Sequence, residues 1–390
     1  MFLFTSEELV EKKTDHELWS TIVAIVRSEL TETESLVDLD KETVEKLYLL
    51  GKKHNIYPLL GDYFLRHGFG NEDLFQDFVI SQTFDQWCDS ALLKISNLFD
   101  KAEIDYLPLK GIVVRNDYPK PWMRSFGDID ILVKKQDRKK ARSLLSNYQI
   151  HYGKQNQEDH IIMDGGVQLD LDDSVKDIYM RTGKESMLSD IWDYAKAKEG
   201  SHCFSLRDDM RYAHAVTHMA RHFLSGGCGI NHFVDLWVLN HKVPVTREMI
   251  AAREALLKKK GIKRIEEAFV AVSEKWFSGE NVETIDGLEE YVFNGLAHGS
   301  KINDAIRYRL IWGNSLYKLK RFIVPYDYLC QLFPRLKNHK WMTPFYEVYR
   351  WLYHIHNGRT KAIMEEFKKS DSVSYETVDK MERMMKELFG

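Results

Sequence analysis

The chain has 390 residues, of which 44% are hydrophobic and 29% are charged, and its formal net charge is −4. A chain of this length can bury a large core and is expected to form two or three structural units. The slightly acidic balance argues against a nucleic-acid-binding protein, because such proteins neutralise phosphates with an excess of basic residues.

The four cysteines are scattered and form no Cys-x-x-Cys pair, which favours reduced thiols in a cytoplasmic protein. The N-terminal segment lacks the basic region and the cleavage site of a signal peptide. No run of about 18 apolar residues occurs in the sequence. We therefore expect a cytoplasmic protein without a membrane span.

Apolar residues recur at helical spacing over residues 1–102, which we predict to be an N-terminal helical region. Asp40 is expected to cap a helix that starts at Lys41. The predicted helices of this region cover residues 16–30, 41–54, 57–67 and 74–102.

Strand patterns replace helical ones over residues 103–175, which are predicted to form a small mixed sheet. The run at 104–109 contains Pro108, so it is expected to lie at an edge of the sheet. The predicted strands cover residues 104–109, 128–133, 160–163 and 167–172, with a hairpin turn at 164–166 and an amphipathic helix at 136–146.

Residues 176–390 return to helical spacing and form a predicted C-terminal helical region. The fold class is therefore α+β, a small mixed β-sheet embedded in a mostly α-helical chain. The predicted helices of this last region cover residues 208–224, 231–241, 247–260, 265–277, 288–297, 302–319, 343–355 and 375–388.

The strand at 128–133 carries the sharpest chemical signal. Asp128 and Asp130 alternate with apolar residues, so their carboxylates share one face about 6–7 Å apart. Asp170, in the middle of a later strand, can supply a third carboxylate, and Asp172 stays open as its alternative. Clustered carboxylates are commonly neutralised by a proton, a basic side chain or a cation, and an oxygen-rich set suits Mg²⁺ (or Mn²⁺). The competing interpretation is an edge strand with its aspartates in solvent.

A series of short motifs precedes this strand: Lys110-Gly111, Tyr118-Pro119, Arg124 and Asp128-x-Asp130. The series resembles the DNA polymerase beta-type nucleotidyltransferase superfamily. It is most similar to the bacterial uncharacterised nucleotidyltransferase family, whose signature runs Lys-Gly, Tyr-Pro, Arg, Asp-x-Asp. The resemblance extends to the segment HNIYPLL, to His218 and Asp235, and to residues 309–334, so it covers most of the chain.

The resemblance implies a nucleotidyltransferase-type sheet as the catalytic core at 103–175 and transfer of a nucleoside monophosphate from an NTP to a hydroxyl. The acceptor would be a small molecule or a protein, and the sequence leaves both the acceptor and the nucleotide base open. The implied catalytic and metal-binding residues are Asp128, Asp130 and Asp170. The residues implied to hold the triphosphate are Lys110, Gly111 and Arg124.

Two alternatives concern this nucleotide site. The wider superfamily places a Gly-Ser pair on the turn before the Asp-x-Asp strand, whereas this chain has Lys110-Gly111-Ile112. The second functional class is therefore a non-catalytic nucleotide-binding scaffold or sensor. Arg124 is also open to two interpretations, a contact with a triphosphate oxygen or an ion pair with Asp128 or Asp130.

Histidines recur at i, i+4 and i+8 on the predicted helix at 208–224, and the next helix adds two more candidate ligands. This spacing leaves a His/Asp metal hydrolase as a third functional class. The chain has no His-Glu-x-x-His motif, and we favour core or hydrogen-bonded histidines. The residues concerned are His214, His218, His222, His232 and Asp235.

Overall fold

The computed structural model describes residues 6–34, 37–152, 159–175, 186–297, 299–313, 323–324, 326–357, 360, 368 and 373–390. Over these residues the chain is mostly helical with a small mixed sheet, so the α+β prediction is confirmed. The chain divides into two compact units, one of residues 1–224 and 228–284 and one of residues 225–227 and 285–390. The predicted three-part division into 1–102, 103–175 and 176–390 stays a prediction.

Several helices of the first unit begin at a capping side chain, as their sequences indicate. Asp40 accepts a hydrogen bond from the Thr43 amide, and Asn71 does the same for Leu74. The helices of this unit are α1 Ser6–Thr31, α2 Lys41–Lys53, α3 Tyr57–Arg66, α4 Glu72–Lys101, α5 Gly111–Val114, α6 Arg138–Leu144, α7 Asp208–Leu224, α8 Ile230–His241, α9 Arg247–Lys260 and α10 Lys263–Phe277. The predicted bounds of α7 and α9 are confirmed at both ends.

The main sheet of the first unit has five strands in the order β1-β2-β5-β4-β3. Only β2 and β5 run parallel, and the other neighbouring pairs are antiparallel. The edge position predicted for the Pro108 strand is confirmed, as is the hairpin between β4 and β5. The strands are β1 Tyr106–Leu109, β2 Asp128–Val133, β3 Gln149–Tyr152, β4 Asp159–Ile162 and β5 Gln168–Asp172.

The apolar face of this sheet forms the core of the first unit. Ile129, Ile131 and Val133 are at most 1% exposed, as the alternation in β2 predicts. They belong to one hydrophobic cluster that also contains side chains of α4 and α6, such as Phe99 and Ala141. Burying this face leaves the aspartates of β2 on the opposite face of the sheet.

Two strand regions differ from the sequence-based prediction. A two-stranded antiparallel sheet, β6 Ala195–Ala197 and β7 Phe204–Leu206, lies where a return to helices was expected from residue 176 onward. Tyr106 of β1 donates its amide to the His202 carbonyl at 3.0 Å, so this hairpin adjoins the outer edge of the main sheet. Strand β3 lies in a segment for which the patterns predict no strand.

The second unit consists of helices with a small apolar cluster of Val324, Leu329, Cys330 and Leu336. Part of the helix predicted at 302–319 lies outside the described residues. No helix in the described ranges is long and apolar enough to span a membrane. The helices of the second unit are α11 Leu288–Gly295, α12 Lys301–Trp312, α13 Tyr326–Leu332, α14 Thr343–His356 and α15 Tyr375–Phe389.

Candidate functional site

Three carboxylates converge on the polar face of the main sheet. Asp128 and Asp130 come from β2, and Asp170 comes from its parallel neighbour β5, where it is paired in register with Asp130. One carboxylate oxygen of each lies within 4.8 Å of those of the other two. Among the described residues, this is the grouping of three or more potential ligand side chains that could hold a metal ion.

The electrostatics of this cluster favour a cation. Burial, opposed by the Lys110 ammonium and reinforced by the Asp128 carboxylate, raises the pKa of Asp130 to about 6. The pKa of Asp128 is also raised, first by burial and then by Asp170 against the effect of Lys110. Charged oxygens that are costly to hold together are the ligands that Mg²⁺ and Mn²⁺ prefer. The three carboxylates therefore fit a divalent ion.

Asp170 is held by two neighbouring side chains. Gln168 Nε2 donates to Asp170 Oδ1 at 2.8 Å, and His160 Nδ1 lies 2.6 Å from the same oxygen. Asp172 is the next residue on this face of β5, and burial raises its pKa to about 7 despite the nearby Lys110. Of the two candidates left open by the sequence, the structure groups Asp170 with the β2 pair.

Lys110 lies directly against the carboxylates. Its Nζ donates to Asp130 Oδ1, so the ammonium already neutralises part of the cluster. Its backbone has φ 54° and ψ −130°, a left-handed φ that a residue with a side chain adopts only at a cost of about 1–3 kcal/mol. Such a conformation persists only where the surroundings enforce it, and here it holds the ammonium beside Asp130.

Gly111 is explained by the close approach of two side chains. A Cβ atom at this position would lie 2.5 Å from Arg124 Nη1 and 2.9 Å from Phe126 Cβ. Both distances are too short for a side chain of any size. The glycine is therefore required for packing against Arg124, whatever contact its backbone makes with a ligand.

Arg124 belongs to a buried network centred on Asp235 of α8. Arg124 Nε donates to Asp235 Oδ1 at 2.8 Å and Nη2 donates to Oδ2 at 2.7 Å, which is a bidentate pair. Tyr118 donates its hydroxyl to Asp235 Oδ1 at 2.7 Å, and burial and the carboxylate both raise the pKa of this tyrosine. The direct ion pair of Arg124 with Asp128 or Asp130, one of its two predicted roles, is not formed.

A cavity of about 240 Å³ lies next to the carboxylates, and Lys110 belongs to its lining. Most of the other walls come from α5, β7, α7 and α8. His214 and His218 face it from α7. Burial and the Lys110 ammonium lower the pKa of His214 to about 3, and they lower that of His218 as well. Both imidazoles are therefore neutral at neutral pH.

The histidine cluster gives little support to the metal-hydrolase class. His218 Nε2 and His222 Nε2 lie 3.1 Å apart, and the His232 ring stacks on His222 with centroids 5.0 Å apart. Both oxygens of Asp235, the carboxylate of that hypothesis, accept hydrogen bonds from Arg124 or Tyr118. This arrangement agrees with the expectation that the histidines are core or hydrogen-bonded residues.

Sequence reasoning missed the role of His160. The register pairs His160 with Asp170 across the β4–β5 hairpin. The turn at 164–166 was recognised in the sequence, so counting outward from it would have placed these two residues opposite each other. Arg211, which lines the cavity and pairs with Asp117, had no such local signal.

The chain is similar to one protein family and to one solved structure. A family profile described as "Uncharacterised nucleotidyltransferase" matches residues 40–278, which is more than half of the chain and lies within the range of the first unit apart from 225–227. No curated protein matches. A crystal structure of an antigenic nucleotidyltransferase-like protein from Paracoccidioides brasiliensis matches with 13% identity, covering 48% of this chain and 92% of that one at a TM-score of 0.28.

Proposed function

The chain belongs to the uncharacterised nucleotidyltransferase family, and from this premise we propose that it transfers a nucleoside monophosphate from an NTP to a hydroxyl acceptor with Mg²⁺ (or Mn²⁺). The observation that carries the proposal is the convergence of Asp128, Asp130 and Asp170 within 4.8 Å on one face of the sheet. A bound divalent ion would supply charge neutralisation and orientation for the triphosphate oxygens. That the family is a bacterial one stays a prediction.

In the proposed reaction, the acceptor oxygen attacks the α-phosphorus of the NTP. A new phosphorus–oxygen bond forms, the bond from the α-phosphorus to the bridging oxygen breaks, and pyrophosphate leaves with the bonding electrons. Asp128, Asp130 and Asp170 would hold the ion. Asp170 would also accept the acceptor proton and pass it to solvent, with His160 and Gln168 keeping its carboxylate oriented.

The turn before β2 supplies the contacts to the triphosphate in this proposal. The Lys110 ammonium moves from Asp130 to the phosphate oxygens once another cation neutralises the carboxylates. Gly111 lets the turn pack tightly on Arg124. Arg124 adds positive charge near the site while Asp235 fixes its position. Catalysis then comes mainly from positioning and charge stabilisation.

The decisive experiment incubates the protein with each α-labelled NTP, Mg²⁺ and candidate acceptors, and measures label transfer and pyrophosphate release. We expect both signals in the wild type and their loss in the double variant Asp128→Ala/Asp130→Ala. Asp193→Ala, which changes an exposed aspartate outside the cluster, is the matched control and should behave as the wild type. Pyrophosphate release that survives the double change would exclude this site.

A second candidate function is nucleotide binding without turnover. The Lys110–Asp130 ion pair favours it, because the ammonium occupies one of the carboxylate oxygens that an ion would use. Calorimetric titration with Mg²⁺ and NTP separates the two functions. Binding that is lost in the double variant, together with no pyrophosphate release in the wild type, would support the scaffold or sensor.

A further inference from the structure

The cavity beside the carboxylates is placed to hold the second substrate. Lys110 connects the cavity with the carboxylates, because its Nζ donates to Asp130 Oδ1 and the residue is part of the cavity lining. Pro108 and Leu109 of β1 extend the lining along the same strand, and Leu109 is paired in register with Asp130. A molecule in the cavity therefore has one end next to the proposed metal and triphosphate.

The size and walls of the cavity limit what fits. Its volume of about 240 Å³ lies just below the ~300–1,000 Å³ that is typical of small-molecule pockets. Ile112, Val113, Phe204, Leu206 and Met219 give much of the lining an apolar character. A compact molecule with a short carbon skeleton suits this space, whereas an extended peptide does not.

The charged groups around the cavity select for an anion. Among the described lining residues, the cations are Lys110, Arg124, Lys198 and Arg211, and the carboxylate is Asp235. The Asp235 carboxylate already accepts hydrogen bonds from Arg124 and from Tyr118, which lies outside the cavity lining. Lys110 and Arg211 are paired with Asp130 and Asp117, so among the described residues the cations left for a carboxylate or phosphate group are the exposed Lys198 and the part of Arg211 that Asp117 does not bind.

Arg211 provides the most specific donor. Its Nη2 pairs with Asp117, but its Nε is buried and has no hydrogen-bond partner among the described residues. Burial and the neighbouring Arg253 lower the pKa of Arg211 to about 10, so it remains cationic at neutral pH. A buried N–H without a partner lowers stability, and a hydrogen bond to a ligand oxygen would remove that cost.

Neutral histidines complete the polar lining. His214 and His218 lie one turn apart on α7, with nearly parallel rings whose centroids are 6.3 Å apart. Neutral imidazoles offer both a donor and an acceptor, which matches hydroxyl groups. Between the cationic groups and the triad, the cavity therefore offers hydrogen bonds for a polyhydroxy or hydroxy-acid skeleton.

We propose that this cavity binds the acceptor, and that the acceptor is a small hydroxy compound carrying one carboxylate or phosphate group. The proposal rests on the proposed function and names its substrate class. The anionic group lies against Arg211 and Lys198, and a hydroxyl lies at the Lys110 end. That hydroxyl forms the new bond to the α-phosphorus, its proton passes to Asp170, and pyrophosphate is the leaving group.

The test uses the full chain and a defined set of acceptors. Glycerate and lactate represent the carboxylates, and glycerol 3-phosphate and glucose 6-phosphate represent the phosphates. Glycerol and glucose are the uncharged matches, and dephosphorylated casein presents protein hydroxyls. Direct binding is measured by saturation-transfer NMR with Mg²⁺ and a non-hydrolysable NTP analogue, and label transfer is measured with α-labelled NTP.

Three variants change the cavity and one serves as control. Ala215→Leu adds bulk from α7 into the cavity, and Arg211→Gln removes the buried donor. Arg207→Gln is the matched control, because Arg207 lies one turn before Arg211, is exposed and pairs with Asp209 outside the lining. Ser205→Trp, at an exposed rim position of β7, blocks the cavity if Ala215→Leu does not fold.

We expect anionic acceptors to bind and to accept label, with uncharged matches at least about tenfold weaker. Arg211→Gln should raise the KM for the anionic acceptor about tenfold or more, and the cavity-filling variants should abolish its binding. The affinity for NTP and Mg²⁺ should stay within about twofold of the wild type in every variant. The anion class with the lower KM, carboxylate or phosphate, is the one that the cavity prefers.

Other outcomes separate this inference from the proposed function. Label transfer that favours glycerol, glucose or casein, or that is unchanged in Arg211→Gln and Ala215→Leu, overturns the inference and leaves the transferase standing. Anion binding in the cavity without any pyrophosphate release keeps the ligand class and overturns the transferase. If no anion binds the wild type, the inference is wrong whatever the NTP assay shows.

Discussion

At the scale of single residues, Lys110 and Gly111 show how a short motif can have two separate physical causes. Lys110 has a left-handed φ of 54° and places its ammonium against Asp130. Gly111 gives space to Arg124 and Phe126. The resemblance implied a triphosphate contact for both residues, which stays a proposal. Their structural roles are tertiary, because the partners lie far along the chain.

Gly111→Ala should therefore destabilise the protein. The added Cβ meets Phe126 Cβ at 2.9 Å and Arg124 Nη1 at 2.5 Å, and neither can move freely because Arg124 is held by Asp235. We expect a loss of about 1–3 kcal/mol in the free energy of unfolding, measured by urea titration. Gly127→Ala is the matched control, since no atom lies within 4 Å of its added Cβ. Its stability should stay within about 1 kcal/mol of the wild type. Equal losses in both variants would contradict the packing explanation.

At the scale of elements, Asp235 ties α8 to the segment that leads into β2. Its carboxylate binds Arg124 and Tyr118, which both precede the Asp-x-Asp strand. The start of β2 is thus fixed from a helix more than a hundred residues further along the chain. This network positions Asp128 and the Lys110 turn relative to each other, and Arg124 and Asp235 also line the cavity beside them.

Removing the shared carboxylate should cost far more than removing a surface ion pair. Asp235→Ala leaves Arg124 buried without its partner, and we expect a loss of about 3–5 kcal/mol. Tyr118→Phe removes one hydrogen bond to a charged group and should cost about 1.5–3 kcal/mol. Lys46→Ala breaks the exposed Lys46–Glu42 pair and should leave the free energy of unfolding nearly unchanged. Chemical unfolding checks all three, and an Asp235→Ala loss as small as that of Lys46→Ala would refute the network.

Most elements could be predicted because their signals are local. The bounds of α7 and α9 follow from apolar spacing and turn residues, and β2 follows from strict alternation. The strand patterns predicted Asp170 as a third carboxylate near Asp128 and Asp130, whereas the parallel register of β2 and β5 that brings it there was not predicted. Strands β6 and β7 have three residues each, too short for any period to be recognised.

The partners within the site were harder to predict than its members. The ion pair of Arg124 with Asp235 joins residues 111 positions apart, and no spacing rule connects them. The cavity likewise exists only once α5, α7, α8 and β7 have packed. His160 is the exception, because the recognised hairpin fixes its position opposite Asp170. Sequence alone therefore identifies chemical groups better than it identifies their neighbours.

At the scale of the whole molecule, the first unit buries ionisable groups whose effects on stability oppose each other. The raised pKa of Asp130, about 6, means that the folded state binds more protons than the unfolded state between about pH 4 and 6. Its contribution to stability therefore falls as the pH rises through that window. His214 acts in the opposite direction, because its pKa is lowered to about 3 by burial and Lys110. Above about pH 6.5, His214 is neutral in both the folded and the unfolded chain. As the pH falls below that value, only the unfolded chain takes up the proton, so the stability of the folded state falls.

His214→Gln should reveal this compensation. The variant removes a group that the unfolded chain protonates near pH 6.5 and the folded chain protonates only near pH 3. The free energy of unfolding of the variant, relative to that of the wild type, should therefore rise by about 1.4 kcal/mol for each unit by which the pH falls from 6 to 4. Urea titrations at pH 7.5, 6, 5 and 4 in EDTA measure the difference without metal ions. Gln76→Ala, which changes an exposed side chain without an ionisable group, is the control and should differ from the wild type by an amount that does not depend on pH. A His214→Gln difference that stays constant with pH would mean that this imidazole takes up its proton near pH 6.5 in the folded protein too, so that burial does not keep it neutral below that pH.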